Sequence, residues 1–410
     1  MMIMSEQPSP RVVAPDSPWL VFLIFLRLGL SSFGGPIAHL AYFHEEFVAR
    51  RQWLSERSYI DLVALCHFLP GPASSQVGIG LGLSRAGLPG AIAAWLGFTL
   101  PSAIILVVFA QGMSTWGNYL PEGITHGLKI VAVAVVAQAV WGMARHLCPD
   151  AIRVTIAVLS ACVVLFWPNV MGQVGVILFT AIVGLFLFKP VLGQTTEPLP
   201  ISVSRKAGGI SLAVFFSLLV GIPVLQQVWP TQTLAMVNVF YRAGSLVFGG
   251  GHVVLPLLQA ATVPNGWVNS ETFLAGYGLA QAVPGPLTTF AAFLGASMNV
   301  APSGWAGATT CLIAIFTPSF LLVVGVLPFW EQLRRSVRTQ AALAGVNAGV
   351  VGLLLAALYN PVWTSAIVKP QDFGLALIAF VALKFWKIPP WLVVLGSGLS
   401  GWFLNSAIRL

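Results

Sequence analysis

Long apolar stretches recur along the whole chain, and this pattern constrains the fold more than any other feature. A helix needs about 20 apolar residues to cross the roughly 30 Å hydrocarbon core of a bilayer. Charged residues make up only 8% of the chain, whereas soluble proteins carry about 25%. The sequence therefore predicts an all-α polytopic membrane protein, since a β-barrel would need short alternating segments. The main apolar stretches are 89–112, 125–143, 151–167, 172–188, 210–228, 305–329, 339–358, 372–386 and 390–406.

The polar features of the chain are few. Residues 1–17 are polar and rich in proline, which predicts a short disordered cytoplasmic tail rather than a signal peptide. The four cysteines are scattered, so we expect no disulfide framework, no metal site and no cofactor. A net charge of +8 in so apolar a chain indicates basic loops that hold the topology, and not nucleic-acid binding.

Two parts of the chain match each other at a nearly constant offset. FLRLGLSSFGG at 25–35 matches FYRAGSLVFGG at 240–250, and PGPASSQ at 70–76 matches PGPLTTF at 284–290. Further matches pair TLPS with FTPS and GLKIVAVAVV with GVNAGVVGLL, at 99–102 with 316–319 and at 127–136 with 345–354. The pattern predicts a tandem duplication, which in membrane proteins is typical of transporters. The expected units are a tail at 1–17, a first repeat at 18–189, a basic linker with an unpaired transmembrane helix at 190–229, and a second repeat at 230–410.

Basic residues concentrate on opposite loops in the two halves. Loop 44–57 holds three arginines and its counterpart 258–270 holds none, whereas loop 331–338 holds three and its counterpart 112–124 holds none. Because basic loops stay in the cytoplasm, the two repeats are predicted to have inverted topology. The unpaired helix at 210–228 supplies the extra crossing. The expected topology has a cytoplasmic N-terminus, an external C-terminus and nine full crossings.

Glycine and proline pairs interrupt some of the apolar segments near their middle. Segments 19–47 and 58–85 each carry cytoplasmic signals at both ends, and each limb has about 12–15 residues, so only about 18–22 Å of helix. A short limb with both ends on one side predicts a re-entrant hairpin. Each repeat is therefore expected to hold two re-entrant hairpins and four transmembrane helices. The breaks fall at Gly34-Gly35, Pro70-Gly71-Pro72, Gly249-Gly250 and Pro284-Gly285-Pro286.

The helix that follows each break begins near the bilayer midplane. Broken backbone at that depth is tolerated only where protein buries it or water reaches it. Helix N-termini carry unpaired N–H groups and a positive dipole end, so four of them together predict an anion site. Hydroxyls in the first turns and arginines in the preceding limbs add donors and positive charge. The expected substrate-binding residues are the ten break residues Gly34, Gly35, Pro70, Gly71, Pro72, Gly249, Gly250, Pro284, Gly285 and Pro286, together with Ser74, Ser75, Thr288, Thr289, Arg27, Arg242 and Lys129.

These motifs resemble the chromate transporter family in its long form, with two homologous domains in one chain. The resemblance covers nearly all of residues 18–407. It implies efflux of chromate across the plasma membrane, driven by the proton or charge gradient, and hence chromate resistance. The pattern departs from symmetry in two places: FGGP in the first copy is FGGG in the second, and His67 stands opposite Gln281. These differences leave it open whether the two mouths of the pathway are equal.

Each expected site residue also has a structural interpretation. The two arginines can serve as interface anchors, the prolines as helix stops, Lys129 as a buried structural cation, and the hydroxyls as partners of carbonyls in the preceding turn. Protons are one candidate coupling ion, and none of the nearby carriers is singled out. These carriers are Asp61, Glu45, Glu46, His39, His67 and His252.

Other functions remain open at this point. Sulfate has nearly the same charge and shape as chromate, so a transporter of sulfate or a related oxyanion would need the same residues. A passive anion channel would use the same site without coupling. An enzyme acting on lipid phosphates would need a nucleophile–base pair or a metal cluster at membrane depth, and the sequence offers neither. Besides the oxyanion, the expected partners are membrane lipid and, as one open arrangement, a second copy in a homodimer.

Overall fold

A computed structural model describes residues 17–116, 122–189, 199, 201, 203–247 and 253–408 of the chain. These residues form helices and connecting turns, with no strand among them. The α-helices are α1 Pro18–Ser31, α2 Gly35–His44, α3 Glu56–Phe68, α4 Ala73–Trp116, α5 Glu122–Leu147, α6 Ala151–Phe166, α7 Val170–Leu187, α8 Arg205–Val228, α9 Gln232–Leu246, α10 Val254–Thr262, α11 Ser270–Ala282, α12 Phe290–Ala296, α13 Gly304–Val326, α14 Trp330–Arg334, α15 Val337–Ala357, α16 Thr364–Ala366, α17 Pro370–Lys384 and α18 Pro390–Ile408. Two π-helical segments, Glu45–Arg50 and Leu358–Trp363, and two 3-10 turns, Leu287–Thr289 and Leu327–Phe329, connect some of them.

Five helical stretches of the described chain are long and apolar enough to cross a membrane. They are Ala73–Met113, Gly123–Leu147, Arg205–Val228, Gly304–Arg334 and Val337–Ala366. Shorter apolar helices accompany them, including α1, α6 and most of α7. Large apolar side chains such as Phe166, Phe186 and Ile210 are exposed on the outer helices, as a lipid-facing surface requires. The prediction of an all-α polytopic membrane protein is confirmed.

Helix α4 is not one continuous rod. Ala86 and Gly87 have non-helical backbone, and Gly87 has φ 59°, which glycine adopts without the strain that a side chain would bring. The helix therefore has a first limb at 73–85 and a second at 88–116. The corresponding part of the second half is divided in the same way, into α12 and α13.

Both PGP segments return to the end of the molecule from which they start. The Arg85 guanidinium, at the end of the first limb of α4, lies 5.3 Å from the centre of the Trp53 ring, which precedes α3. In the second half, Asn299 N–H, after α12, donates to the Trp267 carbonyl, before α11, at 2.9 Å. Each segment thus forms a helical hairpin with the PGP turn at its tip. The FGG segment of the first half folds back similarly, since Phe25 of α1 stacks on Phe47 at a centroid distance of 5.0 Å.

The final helices of each half pack on the other half. Helix α5 packs against α17 and α18, and α15 packs against α6 and α7. Gly127 of α5 lies against the backbone of Ser397, and Gly345 of α15 against the backbone of Thr180, both so closely that a Cβ would collide with a carbonyl oxygen. Small residues allow such approach between membrane helices. The two halves therefore share one interface built from matching contacts.

Candidate anion-binding site

The described helix breaks fall at the glycine and proline motifs. Helix α1 ends at Ser31 and α2 begins at Gly35, with φ values of 102° at Gly34 and 77° at Gly35. Gly71, between α3 and α4, has φ 128°, and Gly285, after α11, has φ 96°. L-residues rarely adopt such values, so glycine is required for these turns. The expected site residues Gly249 and Gly250 lie outside the described residues.

Two reciprocal hydrogen bonds join the tips of the halves. Gly71 N–H donates to the Val247 carbonyl at 2.6 Å, and Gly285 N–H donates to the Ser32 carbonyl at 3.0 Å. Val247 and Ser32 occupy matching positions, each just before an FGG motif. The PGP turn of each half therefore contacts the residue just before the FGG motif of the other half, across the interface between the halves.

This pairing changes the expected role of two backbone amides. The glycine N–H groups at both PGP tips bind protein carbonyls, so they do not point at a bound anion. The donors that remain at these tips are the first-turn N–H groups of α4 and the N–H groups of Leu287 and Thr288, since Thr289 N–H already donates to the Pro286 carbonyl at 3.0 Å. The glycines hold the halves together, and the residues after them present the donors.

Two serines that the sequence pattern matched, without assigning them a role, lie at the tips. A Cβ on Gly71 would lie 2.9 Å from Ser319 Oγ, and a Cβ on Gly285 would lie 2.9 Å from Ser102 Oγ. Both serines come from the TLPS and FTPS matches, and both belong to the half opposite the glycine that they contact. Ser319 Oγ is buried without a hydrogen-bond partner among the described residues, whereas Ser102 Oγ donates to the Thr99 carbonyl. The matched motif was the signal that could have included them in the site.

The four expected hydroxyls have different surroundings. Thr289 Oγ1 donates to the Pro286 carbonyl at 2.7 Å, which is the structural interpretation of that residue. Ser74 Oγ lies 3.4 Å from Nδ1 of the buried His39. Ser75 Oγ and Thr288 Oγ1 are buried and have no partner within the described part of the chain. Buried polar groups normally have partners, so these two are the hydroxyls best suited to receive a ligand.

The two matching arginines differ in environment. Arg27 is exposed on the same face of α1 as Leu20, Leu23 and Leu30. Arg242 of α9 is half-buried and lines a pocket of about 90 Å³ together with residues of α10, among them Leu257 and Ala261. The geometry therefore gives only Arg242 a position inside the protein.

Lys129 lies near one end of the molecule and not among the tips. Its Nζ is 2.9 Å from Oε1 of Glu271, in the first turn of α11, and the Glu271 side chain is 78% exposed. The lysine side chain itself is buried. This ion pair joins the two halves and favours the structural interpretation of Lys129.

A second ion pair joins the halves near the start of α3. Asp61 of α3 accepts from Arg334 of α14 at 2.8 Å and from the Trp330 indole at 3.1 Å. Both charged side chains are largely buried, at 5% and 13% exposure. Glu331 also pairs with Arg334. Within the described residues, no group of three or more histidines, cysteines, aspartates or glutamates could hold a metal ion.

Both halves of the chain match one known protein family. The model of the chromate transporter family matches the chain twice, at residues 19–185 and 234–402. The chain belongs to the chromate transporter family. Both matches fall on the halves that the motifs define, so the chain has the long, two-domain form of the family.

Several relatives align with this chain over almost their whole length. The chromate transport protein of Pseudomonas aeruginosa is 26% identical over 98% of this chain and 95% of its own. The probable chromate transport protein of Synechococcus elongatus is 27% identical over 92% of this chain and 93% of its own. The chromate transport protein of Cupriavidus metallidurans is 26% identical over 92% of this chain and 91% of its own. No solved structure matches the chain. As a member of a transporter family with several apolar helices, the chain is an integral, multi-pass protein of the plasma membrane.

Proposed function

We propose that this protein transports chromate, a tetrahedral divalent oxyanion, and exports it from the cell with energy from the proton or charge gradient. Export of this kind gives resistance to chromate. The observation that carries the proposal is the reciprocal contact between the halves, in which each PGP turn donates to the residue just before the opposite FGG motif. It brings the first turns of several helices to the interface between the halves, with buried hydroxyls that lack partners among the described residues.

An inverted topology with re-entrant hairpins agrees with the contacts at the two ends. The Asp61–Arg334 pair joins the start of α3, which follows basic loop 44–57, to basic loop 331–338. The Lys129–Glu271 pair joins regions that follow the two loops without arginine or lysine, 112–124 and 258–270. Basic loops thus meet at one end and non-basic loops at the other, as the positive-inside rule requires of inverted repeats. The proposed repeats are 18–189 and 230–410, with the linker and unpaired helix at 190–229 between them.

The proposed site holds the anion without a charged side chain at the centre of the site. First-turn N–H groups after Pro72 and Pro286 donate to its oxygens, as do the hydroxyls of Ser75 and Thr288. Arg242 raises the local positive potential from the α9–α10 pocket. A site built mainly from dipoles binds a divalent anion and still releases it, as a transport cycle requires.

Transport into proteoliposomes tests this function directly. Purified protein in sealed vesicles is expected to move chromate, and imposed pH and voltage gradients are expected to change the rate. Sulfate is measured in parallel, since a preference for sulfate would assign the protein to a related oxyanion. A passive channel would move the anion only down its own electrochemical gradient. Flux of that kind under every imposed pH gradient would make the protein a channel instead.

The arginines give a second test because the structure separates their environments. Arg242→Gln is expected to reduce chromate transport at least tenfold, while Arg242→Lys retains part of it, since a point charge preserves the attraction. Arg27→Gln is the matched variant on the exposed face of α1. Equal transport by wild type and both Gln variants would make both arginines interface anchors.

Labelling of single cysteines tests the topology. In a background without the native cysteines, Arg50→Cys and Arg338→Cys are expected to react from the cytoplasmic side, and Pro264→Cys from the outside. These three positions are exposed in the structure. Reaction of all three from one side would exclude inverted repeats.

A further inference from the structure

His39 is a buried imidazole at the point where the two halves meet. It lies in α2, four residues after the helix begins at Gly35, and it is 1% exposed. Its Nδ1 lies 3.4 Å from Ser74 Oγ, in the first turn of α4, and the ring packs edge-on against Phe98. Its Nε2 is buried and has no hydrogen-bond partner among the described residues.

The surroundings of His39 belong to the tips already described. The ring also lies beside the Ser32 backbone, whose carbonyl accepts from Gly285 N–H of the other half. The Phe98 carbonyl and the Ser102 hydroxyl are the atoms nearest to Gly285. One imidazole therefore contacts α4 on one side and, through Ser32, the PGP turn of the second half on the other.

The unpartnered nitrogen has an energetic consequence. A buried donor or acceptor without a partner costs about 1–3 kcal/mol, so such groups are rare in stable structures unless a ligand or water completes them. Here the group lies in the second turn of α2 and against the first turn of α4, whose N-terminus favours negative charge. An anion that enters there finds a ring N–H donor as well as backbone donors.

We propose that His39 is a substrate-contact residue, whose Nε2–H donates to an oxygen of the transported oxyanion. The Ser74 hydroxyl donates to Nδ1, which leaves the ring proton on Nε2 and fixes the ring plane. Ser74 is thus a positioning residue, and the neighbouring Ser75 hydroxyl faces the ligand. This inference rests on the proposed function, because it requires that the protein bind a tetrahedral oxyanion.

The described residue that matches His39 in the second half is not a donor. The motif match aligns His39 with Val254, a fully buried apolar residue. The oxyanion is therefore held asymmetrically, closer to the first-half tips than to the second. The two repeats share a backbone plan and each supplies a hydroxyl, but at this matched position only the first supplies an imidazole.

Two amide variants separate substrate contact from a structural role. The Gln side chain places its amide near the position of Nε2, whereas the Asn side chain reaches only the position of Nδ1. For substrate contact, His39→Gln retains most of the chromate affinity, while His39→Asn and His39→Leu lose about tenfold or more, the value of one hydrogen bond to a charged group. For a purely structural role through Ser74, His39→Asn would be the best tolerated.

The measurement is equilibrium binding of chromate, and of sulfate, to the purified full-length protein in detergent, with thermal unfolding recorded for every variant. His44→Leu is the control, because this partly exposed histidine contacts Glu56 and the Tyr59 ring, away from the tips. Equal affinity of wild type, His39→Asn and His39→Leu would overturn the inference and leave the proposed function standing. Absence of chromate and sulfate binding by the wild type would overturn both. If His39→Leu fails to fold, the order of the Gln and Asn variants decides.

Discussion

The two ends of the molecule use the same plan with different side chains. At one end, Asp61 of α3 pairs with Arg334 from the other half, and both side chains are buried beside Trp330. At the other end, Lys129 pairs with Glu271 of α11, and the glutamate is mostly in solvent. Helices α3 and α11 occupy matching positions, so each PGP hairpin is fastened to the opposite half by one ion pair. The difference in burial indicates that the Asp61 end is held firmly and the Glu271 end loosely.

Removal of the buried arginine should have the largest effect. Arg334→Gln takes the Arg334 cation away from the buried Asp61 carboxylate, and loss of one partner of a buried pair costs about 3–5 kcal/mol. Thermal unfolding of the purified protein measures the loss. Arg335→Gln is the matched control, since this neighbouring arginine is 62% exposed and pairs only with Glu331. Similar melting temperatures for the two variants would mean that the Asp61 end is not held firmly.

The tips should show an intermediate effect, unequal between the halves. Gly285→Ala forces a side chain into the left-handed region and toward the Phe98 carbonyl, a backbone atom that cannot move aside. Gly71→Ala meets mainly the ends of the Gln76 and Ser319 side chains, which can shift. Strain of this kind costs about 1–3 kcal/mol. We expect the loss of stability in Gly285→Ala to lie near the upper end of this range, and its loss of chromate affinity to be larger than that of Gly71→Ala.

Two further alanine variants calibrate that result. A Cβ on Gly35 would meet no atom within 4 Å, so Gly35→Ala tests the effect of positive φ alone. Gly209, in helical α8 with open space around it, is expected to tolerate alanine without loss. An equal effect of Gly209→Ala and Gly285→Ala would remove the special role of the tip.

The exposed ion pair should contribute least. Glu271→Gln is expected to change the free energy of unfolding by less than about 1 kcal/mol, because water and salt screen a carboxylate at the surface. Any change should diminish as the ionic strength rises. A loss as large as that of Arg334→Gln would show that both ends are held equally, and would contradict the comparison.

The sequence predicted the parts of this architecture that depend on local chemistry. Apolar length indicated membrane helices, and Gly71 and Gly285 marked breaks because only glycine adopts their backbone angles freely. The sequence did not predict the contacts between the two halves. The bond from Gly71 to Val247 depends on how the halves dock, and so does the meeting of Asp61 with Arg334. Lys129 was placed in the site because a cation in an apolar helix suggests function, but its partner Glu271 lies far away in the sequence.

The glycine contacts between α5 and α18, and between α15 and α7, set an order of events during synthesis. Gly127 lies in the first half of the chain, and its partner Ser397 lies in the last helix. While the ribosome is still translating, the groove around Gly127 can hold only lipid or a temporary occupant. Insertion into the bilayer and completion of the fold are therefore separate stages for this protein. A premature stop before α17 would leave the chain inserted but incompletely folded, with the α5 surface around Gly127 uncovered by α18.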